Sequence, residues 1–215
     1  MKKISEVEKN IGYSFKNKEL LVTALTHTSY SNESGADSYE RLEFLGDSIL
    51  GFITAKNLFS SCPDSNEGDL TKTRAALVCE QSIAAVFNKL NLSQYLLLGV
   101  GEKKNNGRHK ESILADCFEA LLAAIYLDSD LETAAAWLNN VMPPEQYDQF
   151  AHRDWKSLLH EKYCNHTIDY KITDSGPEYA ERFTVEIFID GKQKSLGTGT
   201  TKKSAVQSAS KKALY

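Results

Sequence analysis

Glu40, Glu43 and Asp47 recur three, four and seven residues apart in Tyr39-Glu40-Arg41-Leu42-Glu43-Phe44-Leu45-Gly46-Asp47. Read as helix, the segment places all three on one narrow face. Like charges at that spacing repel, so a helix that keeps them together is expected to hold something cationic. The pattern also describes the solvated face of an amphipathic helix. Against that second reading, the face has hardly any lysine four residues away, and Arg41 lies well round the helix. A further pair, Asp116 and Glu119, stands one turn apart in Ser112 to Leu127, a segment apolar nearly all round. Such a helix belongs in an interior, where ionised carboxylates are costly unless paired or bound to a metal.

Two such helices packed together bring Glu43, Asp47, Asp116 and Glu119 to one locus. A site made only of carboxylate oxygens, with neither Cys nor His, suits Mg²⁺ or Mn²⁺ and disfavours zinc. The chemistry of such an ion is to lower the pKa of a bound water and to neutralise charge on a phosphate in transition. That points to phosphodiester hydrolysis. Glu67, in Asn66-Glu67-Gly68-Asp69, adds another acid; at a helix N-terminus it reads equally well as a complement to the helix dipole.

The elements that must position these groups fall into two parts. Residues 1–142 show apolar residues at helical spacing, as in Leu42, Leu45, Ile49, Phe52 and Ile53, and predict an all-helical domain. Within it, Gly99 to Arg108 is glycine-rich and polar and is expected to be a surface loop. Residues 143–152, with Pro143 and Pro144, form a linker. In 153–215 the period changes. A helix from Trp155 is followed by alternation at Ile168, Tyr170 and Ile172, then at Phe183, Val185, Ile187 and Ile189. Asp190-Gly191 signals a hairpin, and Thr201 to Tyr215 closes the unit as a helix. The fold class is therefore multi-domain: an all-α domain followed by a small α+β unit of order α-β-β-β-α.

Charge divides along the same line. Residues 1–150 carry 14 Lys and Arg against 21 Asp and Glu, whereas residues 151–215 carry 11 against 8. The basic end is the candidate for contact with a polyanion. There, Gly197-Thr198-Gly199-Thr200-Thr201-Lys202-Lys203 runs into the last helix. Lysines at a helix N-terminus oppose its dipole, and with the free backbone N–H groups they make an anion site; an ordinary solvated lysine pair is the alternative. Met1-Lys2-Lys3 is not followed by the apolar core of a signal peptide, and the longest apolar run, Ala120 to Leu127, is too short to span a bilayer. Cys62, Cys79, Cys117 and Cys164 are scattered without a CxxC pair. They are expected as reduced thiols in a cytoplasmic protein with no membrane contact.

Glu40-Arg41-Leu42-Glu43-Phe44-Leu45-Gly46-Asp47-Ser48 resembles the signature motif of the bacterial ribonuclease III family, and Ser112 to Asp116 with Glu119-Ala120-Leu121 resembles its second acidic motif. The tail, with Gly176-Pro177-Glu178, Phe183-Thr184-Val185 and Gly197 to Ala205, is similar to a double-stranded-RNA-binding domain. The resemblance covers essentially the whole chain. It implies an endoribonuclease that cuts duplex RNA, including ribosomal and messenger RNA precursors, as a homodimer joined through the nuclease domain. The ends it leaves are 5′-phosphates and 3′-hydroxyls with short 3′ overhangs.

By matching position, Glu43, Asp47, Asp116 and Glu119 would be the metal ligands, with Asp47 and Glu119 catalytic, and Glu40 and Glu67 auxiliary acids. His160, Glu161, Gly176, Pro177 and Tyr179 would meet the minor groove, and Thr201, Lys202 and Lys203 the phosphates, a recognition of A-form shape. Three positions depart from the pattern: Tyr179 replaces a frequent His, Val206 a frequent Lys, and Tyr39 a commonly polar Asn.

Overall fold

The computed structural model describes residues 2–63, 65–144, 147, 155–174 and 182–214. The chain divides into two compact units, Met1–His152 and Arg153–Tyr215. The first is helical, with α1 (Lys2–Ile11), α2 (Lys18–Ala24), α3 (Thr28–Ser34), α4 (Glu40–Ser61), α5 (Glu67–Leu77), α6 (Glu80–Lys89), α7 (Val100–Lys104), α8 (Glu111–Asp128) and α9 (Leu131–Val141). Short polar residues start several of these where the periodicity places a boundary. Asn17, Asn66 and Asp130 accept backbone N–H groups of Glu19, Asp69 and Thr133, satisfying donors the helix leaves open.

The core of this unit is built round α8, eleven of whose residues are buried, with α4 and α6 packed along it. One contact sets how closely α4 approaches. A Cβ on Gly46 would lie 1.9 Å from the carbonyl oxygen of Glu119, so the two backbones touch there and only glycine fits. The far end of α8 is tied back to the N-terminal segment: Asp128 accepts from the Tyr13 hydroxyl at 2.8 Å and from the N–H groups of Lys16 and Asn17 at 2.8 and 2.7 Å.

The Gly99 to Arg108 stretch is not a plain loop. It holds α7 and a 3-10 turn at Gly107–His109. The reason is tertiary, because its start is capped from α3: Gly99 N–H donates to Ser29 Oγ at 2.9 Å and Val100 N–H to Glu33 Oε1 at 2.8 Å. Tyr147, in the 143–152 segment, is buried with Leu58, Cys62 and Leu77. Among the described residues no helix is long and apolar enough to cross a membrane.

The second unit runs α10 (Trp155–Lys162), β1 (Ile168–Asp174), β2 (Phe183–Ile189), β3 (Lys192–Gly199) and α11 (Lys202–Leu214). The strands form one antiparallel sheet with β2 central, pairing Tyr170 with Ile187 and Val185 with Gly197. Asp190 and Gly191 both take positive φ, 49° and 75°, as a two-residue hairpin turn requires. Val185 and Ile187 point to the face covered by the helices and form a core with Leu159, Ala205, Ala209 and Ala213. The alanines of α11 and Gly197 of β3 let helix and strand come close: a Cβ at Gly197 would stand 2.2 Å from the Ala209 nitrogen.

Candidate active site

Tyr39 begins α4. Its N–H donates to the Thr26 carbonyl at 2.9 Å, and its own carbonyl accepts the N–H of Glu43 at 2.9 Å. The helix then buries Leu42, Gly46, Ile49, Leu50 and Ile53, leaving Glu43 half-buried and Glu40 and Asp47 exposed along its edge. On α8, the neighbours Ala115, Cys117, Phe118 and Ala120 are all buried, yet Asp116 and Glu119 are only half-buried. The expectation of two carboxylates sunk in an apolar interior is corrected by this arrangement. Both are partly open to solvent on a helix whose middle is otherwise buried, and the Gly46 contact packs the turn of α4 that carries Asp47 against the backbone of Glu119.

The carboxylates act on one another. Burial, then Asp116, Glu40 and Asp47, raises the Glu43 carboxyl above its ordinary value. Glu119 is pushed up to about 8 by burial and by Asp47, Asp116, Glu43 and Glu80. Asp116 is raised by burial and by Glu80, against the Tyr39 hydroxyl and His27, which favour its charged form. Among the described residues none of Glu43, Asp47, Asp116 and Glu119 forms an ion pair with Lys or Arg. Nor, among them, do three Asp, Glu, His or Cys side chains converge closely enough to hold a metal as they stand. Mg²⁺ asks for no closed protein cage, since it binds through oxygen ligands and keeps several of its waters. The oxygen-only donor set therefore fits a hard divalent cation.

The other predicted acids fall differently. Glu40 adds to the charge felt by Glu43 and accepts from the Ser38 hydroxyl at 3.2 Å. Glu67 opens α5, accepts from the Thr71 hydroxyl at 3.0 Å, and lines a separate groove with Phe52, Phe59, Leu70 and Arg74.

Sequence reasoning missed Glu80, the first residue of α6, whose charge bears on both Asp116 and Glu119. It also missed the Tyr39 hydroxyl, which donates to Asp116 Oδ2 at 3.1 Å. Burial, together with Cys117 and Asp116, drives that phenol far above its ordinary value, so it remains a donor. An acid at a helix start is ordinary in sequence and carries no signal of its own. The tyrosine announced itself only as a departure from the motif.

In the second unit, His160 and Glu161 are exposed on α10. The His160 ring stacks on Tyr170 of β1, with Nε2 3.1 Å from the phenol oxygen and Lys156 Nζ 5.5 Å from the tyrosine ring centre. Thr201, Lys202 and Lys203 are exposed at the start of α11. Thr201 Oγ1 accepts the N–H of Ser204, and Ser204 Oγ accepts the N–H of Thr201, at 3.1 and 3.0 Å. Local capping thus pairs the Ser204 N–H while both lysine side chains remain exposed. Gly176, Pro177 and Tyr179 lie outside the described residues.

The Ribonuclease-III-like family model matches residues 17–145, and the Double-stranded RNA binding motif matches residues 155–215. The chain is 42% identical over 221 residues to Ribonuclease 3 of Streptococcus agalactiae serotype Ia, covering 98% of this chain and 96% of the relative. To Ribonuclease 3 of Coxiella burnetii it is 40% identical over 222 residues, covering 100% and 93%. The crystal structure of the nuclease domain of ribonuclease III from Campylobacter jejuni is 41% identical, with a TM-score of 0.63 over 67% of this chain and 97% of that one. A second structure of that domain is 42% identical, with a TM-score of 0.62 over 65% and 95%, and is described as flexible in the region involved in its dimer formation. With an acidic seam between two helices of the first unit, a Double-stranded RNA binding motif following it in sequence and relatives matched along nearly their whole length, this chain belongs to the ribonuclease III family and is an endoribonuclease of that type.

Proposed function

We propose that the chain hydrolyses phosphodiester bonds of double-stranded RNA with a divalent metal held by Glu43, Asp47, Asp116 and Glu119. The observation that carries this reading is the Gly46 contact, which brings carboxylates from two helices to one uncompensated seam. Mg²⁺ bound there, or Mn²⁺ in its place, would supply an activated water and neutralise charge on the phosphate. The protein's part is to hold the carboxylates on rigid, packed helices, α4 and α8, so that little reorganisation is needed on binding. Glu40 and Glu67 serve as auxiliary acids. The products carry 5′-phosphate and 3′-hydroxyl ends with short 3′ overhangs, and the substrates include ribosomal and messenger RNA precursors in the cytoplasm.

Duplex recognition falls to the second unit. His160 and Glu161 on α10, with Gly176, Pro177 and Tyr179, meet the minor groove, and Thr201, Lys202 and Lys203 meet phosphates. The nuclease units pair as a homodimer. Supporting this, α4 exposes Phe44, Phe52 and Phe59 at 80%, 55% and 76%, an apolar surface that a lone monomer rarely leaves in water. A two-fold dimer also matches the pseudo-symmetry of a duplex backbone.

The test is cleavage of an end-labelled RNA duplex with Mg²⁺, with EDTA, and by Glu119→Ala in Mg²⁺, beside single-stranded RNA. Duplex-specific, Mg²⁺-dependent cutting that Glu119→Ala abolishes while binding survives is expected. Binding without cutting under every condition would reduce the chain to an RNA-binding protein.

A further inference from the structure

We propose that Tyr39 is a positioning residue for the metal centre, its hydroxyl holding one oxygen of the Asp116 carboxylate and leaving the other for the cation. The inference rests on the metal-nuclease reading above and adds to it a residue outside the ligand set.

Tyr39 is only 3% exposed and is held at three points. Its backbone N–H donates to the carbonyl of Thr26, itself 1% exposed and bridged to Leu97. Its ring meets His27 edge-on, with centroids 5.6 Å apart. Its hydroxyl donates to Asp116 Oδ2 at 3.1 Å. A phenol so fixed has little freedom to follow a moving carboxylate, so the carboxylate must conform to it.

Asp116 has reason to conform. It is half-buried, it meets no Lys or Arg among the described residues, and Tyr39 supplies the one side-chain hydrogen bond described for it. Tyr39 also stands at the start of α4, the helix that carries Glu43 and Asp47, where its backbone carbonyl accepts the Glu43 N–H at 2.9 Å. One residue therefore ties the start of α4, through its backbone, to the acid of α8, through its hydroxyl. Hydrogen-bond partners of ligating carboxylates fix their orientation, and removing one typically lowers metal affinity or activity about 10–100-fold.

Tyr39→Phe deletes one oxygen and keeps the ring in place. Mn²⁺ binding to the metal-free full-length chain would be measured by calorimetry for the parent, Tyr39→Phe and Asp116→Asn, with thermal unfolding in EDTA and duplex-RNA affinity alongside. Tyr39→Phe is expected to weaken Mn²⁺ binding at least about tenfold and to move half-activation to higher Mg²⁺, with unfolding in EDTA and RNA affinity close to the parent. A residue that served only the fold would shift unfolding and leave metal affinity alone.

If Tyr39→Phe binds Mn²⁺ like the parent while Asp116→Asn does not, the positioning role is wrong and the metal centre stands. If Asp116→Asn also binds like the parent, the metal reading itself fails. Should Tyr39→Phe not fold, tyrosine difference absorption on adding Mn²⁺ to the unsubstituted chain decides: a saturable signal lost in Asp116→Asn is expected, and its absence overturns the proposal.

Discussion

Replacing Glu119 with Gln is expected to stabilise the metal-free protein, and increasingly so as pH rises. The carboxyl stands at the seam of α4 and α8, where burial and then Asp47, Asp116, Glu43 and Glu80 push it from 4.5 to about 8. A carboxyl raised in the folded state favours folding while protonated. That contribution is whole below about 4.5 and is lost as pH climbs through about 8, above which the ionised group opposes the fold. Gln is neutral throughout, so the two proteins match at the acid end and diverge above it.

A tenfold change in proton affinity is worth about 1.4 kcal/mol, which sets a ceiling of about 5 kcal/mol on the difference. The group is open to solvent on one side, where screening removes much of the charge–charge part, and the expected gain is about 1–2 kcal/mol at alkaline pH. Urea unfolding in EDTA, followed by circular dichroism at fixed protein concentration from acid to alkaline pH, measures it. Saturating Mg²⁺ should reverse the order, because the cation stabilises only a folded state that binds it. A difference that stays flat with pH, or a less stable Glu119→Gln at alkaline pH, would refute the electrostatic account of the seam.

Two further substitutions probe the packing and the RNA-binding unit. Gly46→Ala sets a methyl 1.9 Å from the Glu119 carbonyl oxygen, so α4 and α8 must separate. The expected cost is about 1–3 kcal/mol of stability and about a hundredfold in cleavage rate, with duplex binding by the second unit retained; unfolding and single-turnover cleavage read the two effects. Lys202→Ala with Lys203→Ala should weaken duplex RNA whatever its sequence and flatten the logarithmic salt dependence of binding by about two contacts. An unchanged slope in a salt titration would remove these lysines from the phosphate contact.

Much of the architecture is written locally. The spacing of Leu42, Leu45, Ile49, Phe52 and Ile53 predicts the helix α4 and most of its covered face, from which Phe52 departs at 55% exposed, and the alternation through Val185 and Ile187 predicts the covered face of the sheet. Asp190-Gly191 predicts the hairpin because few residues accept two consecutive positive φ angles. The α7 segment escaped this reading, since Ser29 and Glu33, far away in sequence, supply its caps. The half-burial of Asp116 and Glu119 escaped it too. Helical period says that the two share a face, but not how far a neighbouring helix covers that face.

The candidate site divides in the same way. By its own periodicity the sequence determined that Glu40, Glu43 and Asp47 lie together on one helix edge and Asp116 and Glu119 on another, because side-chain direction in a helix depends only on residue number. Only the tertiary structure decided how near those edges come, that Glu80 joins them from α6, and that the Tyr39 hydroxyl reaches Asp116. Electrostatic and hydrogen-bond energies depend on distance through space, and between elements that distance is set by packing, here by the missing side chain of Gly46.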